Sequence, residues 1–256
     1  MYSVDYCVSC HSPNITHYPA YLAQFVAWRS TTAKPDAHIK NYLVKCNHCT
    51  FVGSHKRLTE VEELRLYQGY RGEVYNAMRV SCEPDYQNKM YSFNDAEYIE
   101  ARKKGVNFLI EKNIDCTKIK TVLDYGGDTG VHIPEKFTDA KKYVYDISGV
   151  IPMEGILNFD PEVDKGCVDF LMCCHVLEHK SDLDILIKEL KKHIDTNSWL
   201  YIEVPNYKLP PPDKLVFHEH INFFNKISMT ALLDRHGIEV IDSFEDENLC
   251  VLGKLR

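Results

Sequence analysis

The chain has 256 residues, a formal net charge of −7, 45% hydrophobic and 26% charged residues, enough for one sizeable core with a small satellite. A negative balance excludes broad polyanion binding without a local basic patch, and Lys103-Lys104, Lys141-Lys142 and Lys191-Lys192 are scattered pairs. No apolar run nears the roughly 18 residues of a membrane span, so the expectation is a small-molecule substrate, no nucleic acid and no membrane insertion. The start, Met1-Tyr2-Ser3-Val4-Asp5, lacks the basic flank and apolar run of a secretory signal, which points to a reducing cytoplasm. The ten cysteines then call for another role than disulfides.

Residues 1–58 carry paired cysteines, turn formers and little periodicity, the pattern of a small domain held by metal rather than by a core. Cys7-x-x-Cys10 and Cys46-x-x-Cys49 place two thiolates on each of two knuckles, a tetrahedral zinc set, with His11 and His48 as possible substitutes. Residues 59–93 form a connector. Val61, Leu64, Leu66 and Tyr67 predict a short helix over 59–68, and the segment after it carries Tyr70, Arg71, Tyr75 and Arg79, a substrate lid by residue type because arginines fork onto phosphates and tyrosines stack on rings. The alternative is a connector helix packed on the main domain.

Residues 94–256 begin with a helix to Lys112, capped at Asn94 or Asp95. Short β-branched or aromatic runs follow at Thr121–Tyr125, Lys142–Asp146, Val168–Cys173 and Trp199–Val204, with a helix over Asp182–Ile194, another over Ser228–Arg235, and closing strands Ile238–Phe244 and Leu249–Leu255. The alternation predicts an α/β, mostly parallel Rossmann-like sheet ending in an antiparallel hairpin. The run Val122-Leu123-Asp124-Tyr125-Gly126-Gly127-Asp128-Thr129-Gly130 reads as a buried strand entering a glycine turn ahead of a helix, at the carboxyl edge where such sheets bind ligands. Asp124 can accept from a cationic amino group, and Asp146, about twenty residues on, can hold a ribose. Glycines at 126, 127 and 130 do not match the first, third and sixth positions of a dinucleotide fingerprint, so a nucleoside with an amino-acid tail fits better.

Asp124 to Gly130 resembles motif I of class I S-adenosylmethionine (SAM) dependent methyltransferases, and Tyr143-Val144-Tyr145-Asp146 resembles their acidic second motif. Asn158-Phe159-Asp160 is similar to the adenine-contacting segment, Phe170 to His179 to the fourth-strand motif and Trp199 to Asn206 to the fifth strand. The resemblance implies a SAM site at Asp124, Gly126, Gly127, Gly130, Asp146, Ile147, Asp160 and Cys174. Asp128 departs from it, standing where the family usually has a third glycine. A zinc module with widely spaced knuckles before such a domain resembles methyltransferases of nucleotide-linked sugars used for surface polysaccharides, more closely than ribosomal RNA methyltransferases with a zinc grip. The sugar C-methyltransferases of that group carry a further C-terminal domain; the chain's stop just after its sheet makes O-methylation of a sugar hydroxyl the expectation, with C-methylation second.

Transfer to oxygen or carbon needs a proton acceptor, and histidine suits neutral pH. His175 and His179 flank Glu178, and on a helical turn both rings would face one way; His218-Glu219-His220 follows the fifth strand after Leu209-Pro210-Pro211-Pro212. The expected catalytic set is His220, Glu219, His179 and His175, with His220 or His179 as base and Glu219 orienting it, as the resemblance to sugar methyltransferases also implies. A second reading has His175, His179, Glu219 or His220 hold a divalent cation.

Overall fold

The computed structural model describes residues 1–31, 39–87, 96–164, 166–207 and 215–256. In the N-terminal part, strands β1 (Tyr2–Ser3), β2 (Ile15–Leu22), β3 (Ile39–Cys46), β4 (Val52–Ser54) and β5 (Lys56–Arg57) enclose helix α1 (Gln24–Ser30), and α2 (Glu60–Tyr67) and α3 (Glu73–Cys82) form the connector. The main domain runs through α4 (Ala96–Asn113), β6 (Thr121–Tyr125), β7 (Lys141–Tyr145), β8 (Ile156–Asn158), β9 (Phe170–Cys174), α5 (Leu183–Lys191), β10 (Trp199–Pro205), β11 (Leu215–Phe217), β12 (Asn222–Phe223), α6 (Lys226–Arg235), β13 (Ile238–Glu245) and β14 (Asn248–Leu255). The expected cap at Asn94 or Asp95 and the proline run at 209–212 lie outside the described residues.

Seven strands form the main sheet in the order β13-β14-β10-β9-β6-β7-β8. β6 to β10 run parallel, while β14 is antiparallel to both β10 and β13, giving the mostly parallel α/β sheet with a terminal antiparallel hairpin that the sequence predicts. The central strands β6 and β9 are buried on both faces, hence their near-continuous apolar sequence. Chain order reverses at β6, whose neighbours are β7 and β9, so a crevice opens beyond the carboxyl ends of β6 and β9. Asp182 caps α5 through the Ile185 amide at 2.9 Å, and Leu183, Leu186, Ile187 and Leu190 bury one helical stripe against the sheet, each contributing about 1.5–3 kcal/mol.

Two expectations fail here. No helix follows the glycine turn: residues 126–140 are turns, because Pro134 sits where a first helical turn would propagate and the ten residues from Val131 to Ala140 leave little room for a crossover helix. The stretch from His175 to Lys180 is likewise a turn rather than a helix, so its histidines need not share a face.

The N-terminal part is richer than its sequence suggested. β2 and β3 pair antiparallel over eight residues, and the sheet they found, β11-β2-β3-β4-β12, takes both of its edge strands from beyond residue 214. β11 lies parallel to β2 and β12 antiparallel to β4. Arg57, fully buried, donates to Asn222 Oδ1, and Asn222 donates in turn to the Leu177 and Lys180 carbonyls at 2.7 and 2.8 Å. Residues 1–58 therefore do not close on themselves. Their apolar residues Val4, Val8 and Phe51 share one core with Leu123, Leu171, Phe224 and Met229 of the main domain.

Candidate functional site

At the carboxyl end of β6, Asp124 is 1% exposed and neither carboxylate oxygen has a hydrogen-bond partner. Burial pushes this carboxyl up to about 7. Gly126 (φ 80°) and Gly130 (φ 81°) adopt the left-handed backbone, and at Gly127 a Cβ would stand 2.1 Å from Asp124 Cγ, so the turn wraps the carboxylate as only glycine allows. Asp128 keeps the turn's path without a third glycine by taking φ 55° itself, a conformation that aspartate tolerates. Its amide donates to Asp146 Oδ2 at 2.9 Å, and the Ser148 amide donates to Oδ1 at 2.8 Å. A cavity of about 340 Å³ opens beside Asp146, lined among others by Asp128, Val150, Ile151, Phe159 and Asp160. Ile147 is 60% exposed and lines a second cavity, with Val61, Leu64 and Tyr67, rather than this one. Cys173 is buried in the core and Cys174 half-buried on the opposite face of β9, as strand alternation requires.

The two histidine segments meet, though not with every expected member. His179 and His220 pack edge to face with ring centroids 4.7 Å apart. His179 Nδ1 lies 3.1 Å from Tyr67 Oη and 3.2 Å from the Glu219 carbonyl, and burial lowers His179 to about 3 and also lowers His220, so both rings are neutral. His175 sits apart, at φ 55°, with Nε2 3.1 Å from Glu203 Oε1 and Nδ1 3.0 Å from Glu178 Oε1. Burial disfavours its charge, but the two carboxylates prevail and raise it; both nitrogens are spent on protein contacts. The Glu219 carboxylate pairs with Arg79; burial pushes it up to about 8, against the opposing charges of Arg71 and Arg29. The expected four-residue metal set of His175, His179, Glu219 and His220 thus does not converge. Glu178 takes the carboxylate's place: it, His179 and His220 bring one donor atom each within 4.8 Å of one another.

Glu178, Glu203, Arg102 and Tyr67 were missed. Arg102 Nε donates to Glu203 Oε1 at 3.0 Å and Tyr201 Oη to Oε2 at 2.6 Å, so Glu203 anchors a buried polar chain beneath the crevice. A lone charge within Trp-Leu-Tyr-Ile-Glu-Val-Pro of β10 was the signal for it.

The connector covers this edge. A capping box starts α2 at Thr59, Glu63 accepts from Lys180 and from the Ser181 amide at 2.5 Å, and Tyr67 reaches His179. The buried residues of α2 are Glu63 and Leu66, leaving Val61 and Leu64 exposed, contrary to the apolar stripe expected. Arg71 lies 3.7 Å from Asp128 and over the Tyr70 ring at 5.1 Å. Arg79 is buried, paired with Glu83 and Glu219 and 4.1 Å over Tyr86. Tyr75 is 0% exposed and packs on Phe25 and Tyr70: its side chain fills the satellite core, as a packed connector helix would have it.

The four thiols of Cys7, Cys10, Cys46 and Cys49 converge. Cys7 and Cys49 Sγ are 3.5 Å apart and Cys10 and Cys46 Sγ 3.6 Å, near the ~3.8 Å that a tetrahedron of ~2.3 Å zinc–sulfur bonds sets. The His48 and Cys49 amides donate to Cys46 Sγ at 3.4 Å each. His11 instead faces Asp184 at 3.2 Å, and His48 is exposed. Arg235 of α6 ties the knuckle down through the Ser9 and Val8 carbonyls.

A methyltransferase-domain family model matches residues 94–243. The chain belongs to this methyltransferase family. With the sheet described above, it is an α/β methyltransferase. Among curated proteins, this methyltransferase is 24% identical over 187 residues to the C-methyltransferase NovU of Streptomyces niveus, covering 64% of this chain and 44% of that protein; it spans less than half of that relative's length. Solved structures similar to it include a SAM-dependent methyltransferase from Aquifex aeolicus (17% identity, 66% of this chain and 98% of that one, TM-score 0.47). Another is the 1,6-didemethyltoxoflavin-N1-methyltransferase of Burkholderia thailandensis (14%, 72% and 90%, TM-score 0.49). Among the described residues no helix is long and apolar enough to cross a membrane.

Proposed function

We propose that this methyltransferase moves the methyl group of SAM onto a nucleotide-linked sugar. The observation that carries the reading is the pair of carboxylates at the crevice, Asp124 buried with both oxygens unpartnered and Asp146 fixed by two backbone amides. A buried carboxyl without partners fits a cationic ligand, because only a positive charge or donors there offset its desolvation. Asp124 takes the ammonium group, Gly126, Gly127 and Gly130 let the backbone approach, Asp146 and Ile147 hold the ribose, Asp160 the adenine edge, and Cys174 borders the sulfonium. Bound there, SAM supplies an electrophilic methyl on a cationic sulfur. Zinc, held by Cys7, Cys10, Cys46 and Cys49, is structural: it fixes the sheet whose edge strands β11 and β12 bracket Glu219 and His220.

Activation of the acceptor falls to His220 or His179 as the base, as expected from the sequence, with Glu219 orienting His179 through its carbonyl oxygen. Arg71 lines the side on which the acceptor's phosphates lie, beside Tyr70, while Arg79, buried and held by Glu83 and Glu219, and Tyr75 support it from the core. The acceptor atom is a sugar hydroxyl oxygen. The name of the curated relative, a C-methyltransferase, favours a second reading in which a ring carbon receives the group.

Labelled SAM incubated with a panel of nucleotide sugars should yield a methylated sugar, and magnetic resonance of the product separates oxygen from carbon. Replacing His220 with Asn should remove turnover with SAM affinity retained; full activity in that variant rejects the assignment.

A further inference from the structure

We infer that Glu178, His179 and His220 form a divalent-cation site that activates the acceptor, a reading that rests on the proposed methyl transfer and specifies how the histidine pair serves it. Two imidazoles and one carboxylate are a recurrent set for first-row cations, and here one donor atom from each lies within 4.8 Å of the others. The carboxylate is the telling member: Glu178 is 1% exposed, and its Oε2 has no hydrogen-bond partner.

The surroundings are those of a metal site rather than of a chance cluster. Ligating histidines usually donate their second ring N–H to a carbonyl or carboxylate, which fixes tautomer and ring orientation. His179 Nδ1 lies 3.2 Å from the Glu219 carbonyl, which can only accept, and 3.1 Å from Tyr67 Oη; with its proton directed at the carbonyl, Nδ1 leaves the Nε2 lone pair for a metal. On the carboxylate side, His175 Nδ1 stands 3.0 Å from Glu178 Oε1, and the His175 ring is itself held by Glu203 at 3.1 Å. Each of these two ligands is thus aimed by a neighbour, and His220, on the loop between β11 and β12, closes the set over His179. The Glu219 side chain has no part in it, being held by Arg79.

A cation there polarises a sugar hydroxyl and lowers its pKa. The hydroxyl proton leaves to solvent, the oxygen attacks the methyl carbon, and the carbon–sulfur bond breaks with its electron pair staying on sulfur. The site also gives His175 a task that its two occupied nitrogens otherwise deny it.

The test uses the full chain with zinc on its cysteines, titrated with Mn2+ and followed by electron paramagnetic resonance, since Mn2+ prefers nitrogen and oxygen donors to thiolates. One Mn2+ per chain is expected. His220→Ala and Glu178→Gln should each abolish it, His175→Gln should weaken it about 10- to 100-fold, as loss of an orienting neighbour does, and Glu219→Gln should leave it within about twofold. His220→Ala covers the case in which Glu178→Gln fails to fold. Calorimetry with SAM on the same samples separates the two proposals: SAM binding without Mn2+ binding, or methyl transfer persisting after chelation that leaves the zinc in place, overturns the cation site alone. Absence of SAM binding overturns the parent reading.

Discussion

Asp124 illustrates how one buried carboxyl links stability to ligand binding. Its folded-state pKa of about 7 lies above the ~3.9 of an unfolded chain, so between those values the native state holds a proton that the unfolded state has lost. Stability contributed by this group therefore falls as pH rises through that window and stays low above it. In the SAM-free protein, Asp124→Asn should leave the melting temperature unchanged near pH 4 and raise it at pH 8, by on the order of a few kcal/mol of stability. The same variant should bind SAM at least about tenfold more weakly, a loss of ~1.4 kcal/mol. Thermal melts across pH and calorimetry check both; equal melting curves at pH 8 would remove the orphaned-carboxylate argument. Asp124, the glycines and Asp146 were legible because a strand, a turn and the next strand end are set by local sequence. Glu178 was not, since its weight comes from His175 and His220, which meet it only through β9 and an annexed loop, and Tyr75 read as a ligand contact because its burial is decided by Phe25, fifty residues away.

The turn at 126–140 shows why elements are harder to read than residues. The pattern of β6 carried the expectation of a helix after it, but Pro134 and a short crossover outweigh that pattern. The helix over 59–68 existed as expected, yet its buried face runs through Glu63 because Lys180 and Ser181 give that carboxylate partners. α3 depends on a similar bargain with the loop between β11 and β12. Arg79 joins Glu219 inside the protein, and removing one partner of a buried pair leaves an uncompensated charge. At pH 9, above the Glu219 pKa of about 8, Arg79→Met should lower stability by about 3–5 kcal/mol in urea unfolding, and adding Glu219→Gln should restore most of it; an Arg79→Met loss below ~1 kcal/mol there would mean the pair is solvated.

For the molecule as a whole, the expected division into a zinc module at 1–58, a connector and a catalytic domain describes the sequence better than the packing. The thiolate knuckle is anchored on α6, its apolar residues share the main core, and its sheet ends on strands β11 and β12. Calorimetric melting of the zinc-loaded chain should therefore show one cooperative transition, with zinc released in it. A separate low-temperature transition that frees zinc while SAM binding persists would show two independent units.

The two edge strands set an order on biosynthesis. A ribosome delivers β2, β3 and β4 long before residues 215–223, so the nascent sheet waits with both margins unpaired while about 160 residues are added, some 10–30 s at typical elongation rates. Unpaired margins are templates for other chains. Metal uptake at the knuckles and shielding by a chaperone during that interval are thus conditions for yield, and circular permutation that brings 215–223 forward should relax them.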